Sequence, residues 1–572
     1  MRRWQQLDLQ RAAVPLWSAL LALAICLPLL GRGYVLSYDM VWVPRLDLDR
    51  PEIWGLGTGL PRAVPSDAIA ALLGAALPAA IVQRLVLFAA LFLLAVGTAR
   101  LLRERPLLAQ LAAATLAVWN PYVAERLVLG QWPLLLACAA FPWLIDALAG
   151  KGDPRWAVAV LALAVTALTP ATGVMGAVLG VIAAWRRGIV GVMLLAALVN
   201  APWIVAGLLH SSISRSDPAA VGLFDLQSEG HFGRLGSALT LGGIWNTEVV
   251  PTSRTLLLAV VIAVVIGAVM IVGVTTMWRD DGRLLAVLCV AGGIGLAIAL
   301  AGWLAPDLVA RIVEDVPAGG LIRDGTRWLA LLVPLEAVAF GAGVHTILYR
   351  AEFTAWEVPV MVFALVLPLA AMPDLAWGVG GRLEPATYPA AWTDARRVVE
   401  ATDVRGDIVV LPFTSYRRPA WNHDISVLDP AGRFFDRTTV TNDDLVVSGQ
   451  TITGEDPRAA QIQRVLRGND ATRGLARQGI GFIVVETDAP GARAALRQVR
   501  GARELDVRGD SLRVFAIPDA RPQEADEDDR QIMIATWVVT ALTLAFALVG
   551  AVRGAAERRR RKPVPPGLRT RA

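Results

Sequence analysis

The chain is poor in the residues that usually build soluble catalytic centres. Its 572 residues include 4 histidines, 3 cysteines and 6 tyrosines, and only 18% of positions carry Asp, Glu, Lys or Arg. Cys26, Cys138 and Cys289 all lie inside apolar runs, so their spacing supports no disulfide framework, zinc site or redox pair. They read as packing residues. Lysine occurs only at Lys151 and Lys562. There is no P-loop, dinucleotide fingerprint, H-E-x-x-H motif or suitably placed nucleophile elbow. ATP-driven transport, cytosolic nucleotide-sugar chemistry and proteolysis therefore lack support. No repeat at a period of roughly 20–50 residues suggests a solenoid or propeller.

Apolar sequence is abundant. Hydrophobic residues make up 55% of the chain and the mean hydropathy is +0.53, more than one soluble core could bury. The net charge of +5 is concentrated in the tail Arg558-Arg559-Arg560-Arg561-Lys562 and in short loops, which suits membrane flanks better than nucleic acid. Apolar runs near 14–33, 82–100, 107–120, 132–149, 156–170, 172–185, 188–209, 254–277, 284–304, 326–347, 355–377 and 531–553 predict about twelve membrane-spanning helices. The first follows Arg2, Arg3 and Arg11 and lacks an A-x-A-like cleavage site, so it reads as a retained signal anchor.

Loop charges predict the orientation. Arg103-Glu104-Arg105, Lys151 to Arg155, Arg186-Arg187, Arg279 to Arg283 and Tyr349-Arg350 fall on one side together with both termini. The positive-inside rule makes that side cytoplasmic and the location the plasma membrane. The other side receives 34–81, the link from Asn120 to Trp132, 210–253, 305–325 and 378–530. Asp67 to Ile81 is apolar but short and broken by Pro78, which predicts a helix lying on the membrane surface.

The fold class expected is thus an α-helical polytopic membrane protein with a small extracytoplasmic α/β domain before the last span. Its units are a transmembrane domain at 1–377, the α/β domain at 378–530, a final span at 531–553 and a basic cytoplasmic tail at 554–572. Within 378–530, Asp407 to Pro412, Gly481 to Val485 and Ser511 to Ile517 read as strands. Trp392 to Thr402, Arg458 to Arg467 and Ala492 to Arg500 read as the helices between them, which predicts a mixed sheet.

The first outer loop, Tyr34 to Arg45, carries Asp39 among aromatic residues including Tyr38 and Trp42. A carboxylate at the membrane interface can take the proton of an acceptor hydroxyl while a lipid-linked donor arrives from the bilayer. The alternative is a solvated loop aspartate. The link Asn120-Pro121-Tyr122-Val123-Ala124-Glu125-Arg126, ending in Gly130-Gln131-Trp132, is densely polar beside lipid. Its Glu125 and Arg126 either hold a phosphate or sugar hydroxyl or pair with each other at a helix end. The loop 210–253 offers His210, Asp217, Asp225, Glu229 and His231, whose spacing matches no metal-ligand pattern, and Gly242-Gly243-Ile244-Trp245, where Trp245 suits sugar stacking or interface anchoring. Arg323 and Arg327, in Arg323-Asp324-Gly325-Thr326-Arg327-Trp328, either clamp a phosphate or anchor the interface. Ionisable residues within the spans are few, with Asp146, Glu336 and His345 near their ends, so an ion-coupled pathway is weakly supported.

Taken together, Tyr38-Asp39, Asn120-Pro121-Tyr122, Glu125-Arg126, Gly130-Gln131-Trp132, Pro202-Trp203, Gly242-Gly243-Ile244-Trp245, Arg323-Asp324 and Arg327-Trp328 resemble the GT-C class of polyprenyl-phosphate-sugar-dependent glycosyltransferases. The resemblance is strongest to actinobacterial membrane proteins similar to the arabinofuranosyltransferases of the mycobacterial cell wall, and covers roughly 14–377. It implies Asp39 as catalytic residue and Tyr38, Trp42, Asn120, Glu125, Arg126, Gln131, Trp245, Arg323 and Arg327 as substrate-binding residues. It implies a polyprenyl-phosphate sugar donor and an envelope glycan or glycolipid acceptor, with membrane lipids and other envelope-biogenesis proteins as further partners and no nucleic acid. No cofactor is required with certainty, a divalent cation being the single candidate. Asp39 has no adjacent acid, its nearest companions being Asp47 and Asp49, and the chain lacks the long carbohydrate-binding extension of the large members. A non-catalytic scaffold in envelope biogenesis is the rival expectation, and a lipid or glycan transporter a weaker third.

Overall fold

The computed structural model describes residues 2–57, 61–210, 220–316, 318–350, 357–447, 449–468, 470–518, 520 and 526–560. Among them, seven helices are long and apolar enough to cross a membrane, or nine if two bent pairs each count as one span. The seven are Ala12–Leu30, Ala79–Leu101, Leu107–Val128, Ile189–Leu209, Leu257–Asp280, Gly282–Leu304 and Glu527–Glu557. The bent pairs are Gly325–Leu331 with Val333–Tyr349, at 41°, and Val362–Ala371 with Pro373–Gly381, at 74°. Trp132–Leu148, Trp156–Thr166 and Pro170–Ala183 stand where three further spans were expected, but are too short to pass on length. Their apolar residues pack inside the bundle, which is why hydropathy alone reads them as spans. Pro78 separates Ser66–Ala76 from Ala79–Leu101, so the short helix expected before the second span is present.

The link between the third and fourth runs differs from expectation. Asn120 caps a helix, Pro121–Val128, which carries the third span onward to Val128. Glu125 and Arg126 are therefore buried inside the end of the bundle, 2% and 1% exposed, where lipid does not reach them.

Loops gather at the two ends of the bundle. At one end Asp146 accepts hydrogen bonds from Arg100, Arg103 and Arg155, Lys151 pairs with Glu104, and Arg105 reaches Asp280 at 3.4 Å. Arg187 donates there to the carbonyls of Gly150 and Gly152 at 3.0 and 2.9 Å. These are four of the basic loops that the charge pattern assigned to one side.

The α/β unit lies at the other end. Its five-stranded sheet runs Arg503–Leu505, Leu512–Ala516, Ile480–Glu486, Asp407–Leu411, Thr439–Val440; the first two pairings are antiparallel and the last two parallel. Both central strands are buried throughout, as expected for strands covered on two faces. Helices Pro457–Leu466 and Ala471–Arg477 pack on one face through Ile462, Leu466 and Leu475 against Val409, Leu411 and Ile483. Trp392, Phe434 and Phe435 cover the other.

The first outer loop joins the two units. Its residues alternate between two cores: Val35, Met40 and Trp42 bury into the bundle, whereas Leu36, Val41 and Val43 bury into the α/β core with Trp392 and Phe434. Alternation of this kind belongs to an extended chain covered on both sides. Tyr34–Val35 also pairs with Pro385–Ala386, at the entry to the α/β unit. The final helix, Glu527–Arg560, returns along the bundle. Its Trp537 indole donates to the carbonyl of Trp54 at 3.2 Å, and Thr540 donates to that of Leu198 at 3.0 Å.

Candidate functional site

Asp39 sits at the turn of the doubly buried loop. Its backbone N–H donates to the carbonyl of Leu129 at 3.1 Å, and Ser37 Oγ donates to that of Val128 at 2.5 Å, so the loop is stitched to the end of the Pro121–Val128 helix. Gly130 permits that approach. Its φ is +78°, and a Cβ there would lie 2.2 Å from both Ser37 O and Met40 N. Tyr38 is also left-handed, at φ 45°, and its backbone bonds Ser426 and Leu428 of the α/β unit at 2.6 and 2.9 Å.

The Asp39 carboxylate is half-buried and meets neutral donors only. Tyr416, from the α/β unit, donates its hydroxyl to Oδ1 at 2.6 Å, and Gln131 Nε2 donates to Oδ2 at 3.3 Å. Burial, together with the charge and hydrogen bond of Asp39, holds the Tyr416 phenol well above the usual tyrosine range, so it stays a donor at neutral pH. Beside Asp39 lies a narrow cleft, lined by Trp42, Trp132, Asp67, Ala70 and Arg433 among others. Arg433 holds Asp67 through two hydrogen bonds of 2.8 and 3.2 Å, tying the α/β unit to the Ser66–Ala76 helix at the cleft wall.

From Gln131 the polar contacts run inward. Gln131 Oε1 accepts from Arg126 Nη1 at 3.0 Å, and Arg126 Nη2 donates to Thr326 Oγ1 at 2.7 Å. Thr326 donates to Asp324 at 2.7 Å, whose other oxygen lies 3.5 Å from Arg126 and 2.9 Å from Arg327. Burial would raise the Asp324 carboxyl, but Arg126 and Arg327 outweigh it and hold the group below the usual carboxylate range. Thus Asp39, Gln131, Arg126 and Arg327, separated by up to 288 positions, form one connected network. Trp245 joins its margin, its indole facing Asp324.

Other expected site residues make contacts elsewhere in the fold. Asn120 spends its amide on the fold: Oδ1 accepts from Val123 N–H at 3.0 Å, and Nδ2 donates to the carbonyls of Leu116 and Ala117. It is a helix cap away from the cleft. Glu125 lies against Glu229 in the interior, and Arg254 pairs with Glu229 at 2.9 Å. Neither Glu125 nor Asn120 lines the cleft beside Asp39. The paired glycines before Trp245 make room for Glu229, since a Cβ on Gly242 would meet its carboxylate and Gly243 N–H donates to it. Trp245 itself packs edge-on against Phe224, at 4.9 Å between centroids, beside Val447 and Ile452, so its ring is partly covered in this structure.

The possible metal ligands of the same loop are dispersed. His210 meets the carbonyl of Ala206, Asp225 pairs with Arg234, and Glu229 with Arg254, while Asp217 lies outside the described residues. Among the described residues, no three His, Cys, Asp or Glu side chains are grouped to hold a metal ion.

Sequence reasoning missed Tyr416, Arg433 and Asp67 at the site. Tyr416 had a signal in the dense Tyr416-Arg417-Arg418 run, but nothing local says that it will reach Asp39, 377 positions away.

No family model matches the chain, and no curated protein does. Solved structures match it over most of its length, and the architecture they share with it is of the GT-C type. The chain is similar to the single-particle cryo-EM structure of arabinofuranosyltransferase AftD from mycobacteria, with a TM-score of 0.56 and 17% identity, covering 91% of this chain and 40% of that one. A mutant form of the same mycobacterial enzyme gives a TM-score of 0.56 and 18% identity, with 92% and 42% covered. The chain therefore spans about two fifths of the length of these structures. The resemblance stated from the motifs thus extends to the fold, and it runs past residue 377 to most of the chain.

Proposed function

We propose that this protein is a membrane glycosyltransferase that moves a sugar from a polyprenyl-phosphate donor to a cell-envelope glycan or glycolipid on the outer face of the plasma membrane. Asp39 takes the proton of the acceptor hydroxyl as that oxygen attacks the anomeric carbon from the face opposite the phosphate. The bond to the phosphate oxygen breaks, and polyprenyl phosphate leaves with the bonding electrons. The configuration inverts, and no nucleotide is consumed. Arg126 and Arg327 steady the negative charge of the site, and Arg323 meets the phosphate.

One observation carries this reading: Asp39 is a carboxylate hydrogen-bonded by neutral groups, at the wall of a cleft that Arg433 also lines, and joined through Gln131 to a buried arginine network. Purified protein supplied with labelled polyprenyl-phosphate sugar and an envelope acceptor tests it. Asp39→Asn abolishes transfer in this account, and full activity of that variant would refute the assignment. The divalent cation that the resemblance allows is tested by chelation, with unaltered transfer in EDTA expected. The proposed topology has twelve spans, both termini cytoplasmic and 378–530 outside. Cysteine-accessibility labelling from each side of the membrane checks it.

A second reading, a non-catalytic scaffold, is favoured by a different observation: both oxygens of Asp39 are engaged by the chain's own groups. Wild-type growth of an Asp39→Asn strain, beside a severe defect on deleting 378–530, supports that reading over transfer.

A further inference from the structure

Glu455 follows the hairpin of Leu445–Val447 and Gln450–Ile452 in the α/β unit. Its side chain is 4% exposed and its two oxygens go to two different arginines, Oε2 to Arg62 and Oε1 to Arg323 at 3.3 Å. Asp443 fixes its direction by accepting from the backbone N–H groups of Glu455 and Asp456 at 2.6 and 2.9 Å. Arg323 lies over the Phe224 ring at 5.1 Å, and Arg327 stands behind it on Asp324. Burial, then repulsion from Arg62, outweighs Glu455 and holds Arg323 below the usual arginine range. Arginines crowded in this way attract an anion, and two guanidinium groups bridged by one carboxylate are a donor set that a phosphate also satisfies. Arg62 is 52% exposed, so the pair opens toward solvent on one side.

A second contact from the same unit points the same way. Tyr416 places its hydroxyl 2.6 Å from Asp39 Oδ1, where an acceptor hydroxyl must come to surrender its proton. The α/β unit thus presents a hydroxyl to the base and a carboxylate to the arginines. Where the hairpin meets the bundle, the apolar contact is small, with Val447 and Ile452 on Ala220 and Phe224.

We propose that Arg62 and Arg323 form a seat for the phosphate of a lipid phosphate, and that Glu455 occupies this seat as an internal stand-in until the ligand displaces it. The identity of the anion rests on the glycosyl-transfer reading, while the competition between Glu455 and phosphate is independent of it. Displacement withdraws the hairpin, uncovers Trp245 and Phe224, and loosens the unit that carries Tyr416, so donor binding prepares the acceptor position.

Direct binding tests the competition. The full chain in detergent micelles is titrated with decaprenyl phosphate and, separately, with inorganic phosphate as competitor. Glu455→Gln and Glu455→Ala bind decaprenyl phosphate about tenfold tighter than wild type, because removing an internal competitor raises the fraction of open seats. Arg62→Gln and Arg323→Gln bind it more weakly, and inorganic phosphate competes. Equal or weaker binding by both Glu455 variants would overturn the proposal, as would lipid binding that inorganic phosphate does not touch. Transfer retained by Asp39→Asn, with the Glu455 effect on binding intact, removes the catalytic reading and leaves the seat standing.

Discussion

Asp146 and Asp39 stand at opposite ends of the Trp132–Leu148 helix, Asp146 within its last turn and Asp39 on Gln131, just before its first residue. Asp146 is 2% exposed in its side chain and neutralised by three arginines, Arg100 and Arg155 at 2.5 Å and Arg103. Asp39 is half-buried, is held by a phenol and an amide, and faces a cleft. The first arrangement locks loops together and encloses the carboxylate in guanidinium groups. The second keeps a charged oxygen oriented and reachable. A carboxylate enclosed by cations is a joint, whereas one held by neutral donors at a cleft can still meet a ligand.

Substitutions can break this contrast. The largest expected effect is on Asp39→Asn, which removes detectable transfer, a loss of about 10²–10⁴-fold or more, with the unfolding temperature in detergent unchanged. Arg126→Gln leaves the buried Asp324 to Arg327 and Thr326 and removes the charged hydrogen bond to Thr326, costing about 1–3 kcal/mol of stability, read as a fall in that temperature. Asp146→Asn should do the reverse of Asp39→Asn. Transfer per folded molecule stays at the wild-type level, while loss of the charged hydrogen bonds costs about 1–3 kcal/mol.

A subtler test concerns pH. Glu486 is buried under the loop that presents Tyr416, and although Arg417 lies 3.2 Å away, burial with help from Asp429 and Asp488 pushes its carboxyl from 4.5 up to about 8. The folded state therefore holds this proton more tightly than the unfolded chain. Its contribution to stability is complete below pH 4.5 and is lost as pH rises through about 8. Thermal unfolding of Glu486→Gln should accordingly vary less with pH across that window than wild type. The smallest effect belongs to Asn120→Ala, which removes a helix cap worth about 1 kcal/mol and leaves transfer untouched.

Much of the fold was legible because hydropathy and charge are local signals. The central strands at Asp407–Leu411 and Ile480–Glu486 stood out as short apolar runs, and the basic loops do converge on one end of the bundle. Span count was less legible, since apolar composition marks a helix without fixing its length, and Trp156–Thr166 is apolar but too short to pass as a span on length. Asp39, Gln131, Arg126 and Arg327 could be named from their unusual chemistry near membrane ends, and they do form one network. Asn120 and Glu125 looked similar in sequence, but capping and interior pairing claim them. The division at residue 377 was misleading in one respect. The first outer loop, more than 330 positions earlier, supplies Leu36, Val41 and Val43 to the α/β core, and only three-dimensional packing reveals this.

The central claim, that Asp39 is the base of a glycosyl transfer, is tested most directly by measuring donor binding and turnover on the same Asp39→Asn preparation. The account predicts that the variant binds decaprenyl phosphate with the affinity of wild type and transfers no sugar. Undiminished transfer from a polyprenyl-phosphate sugar would contradict it.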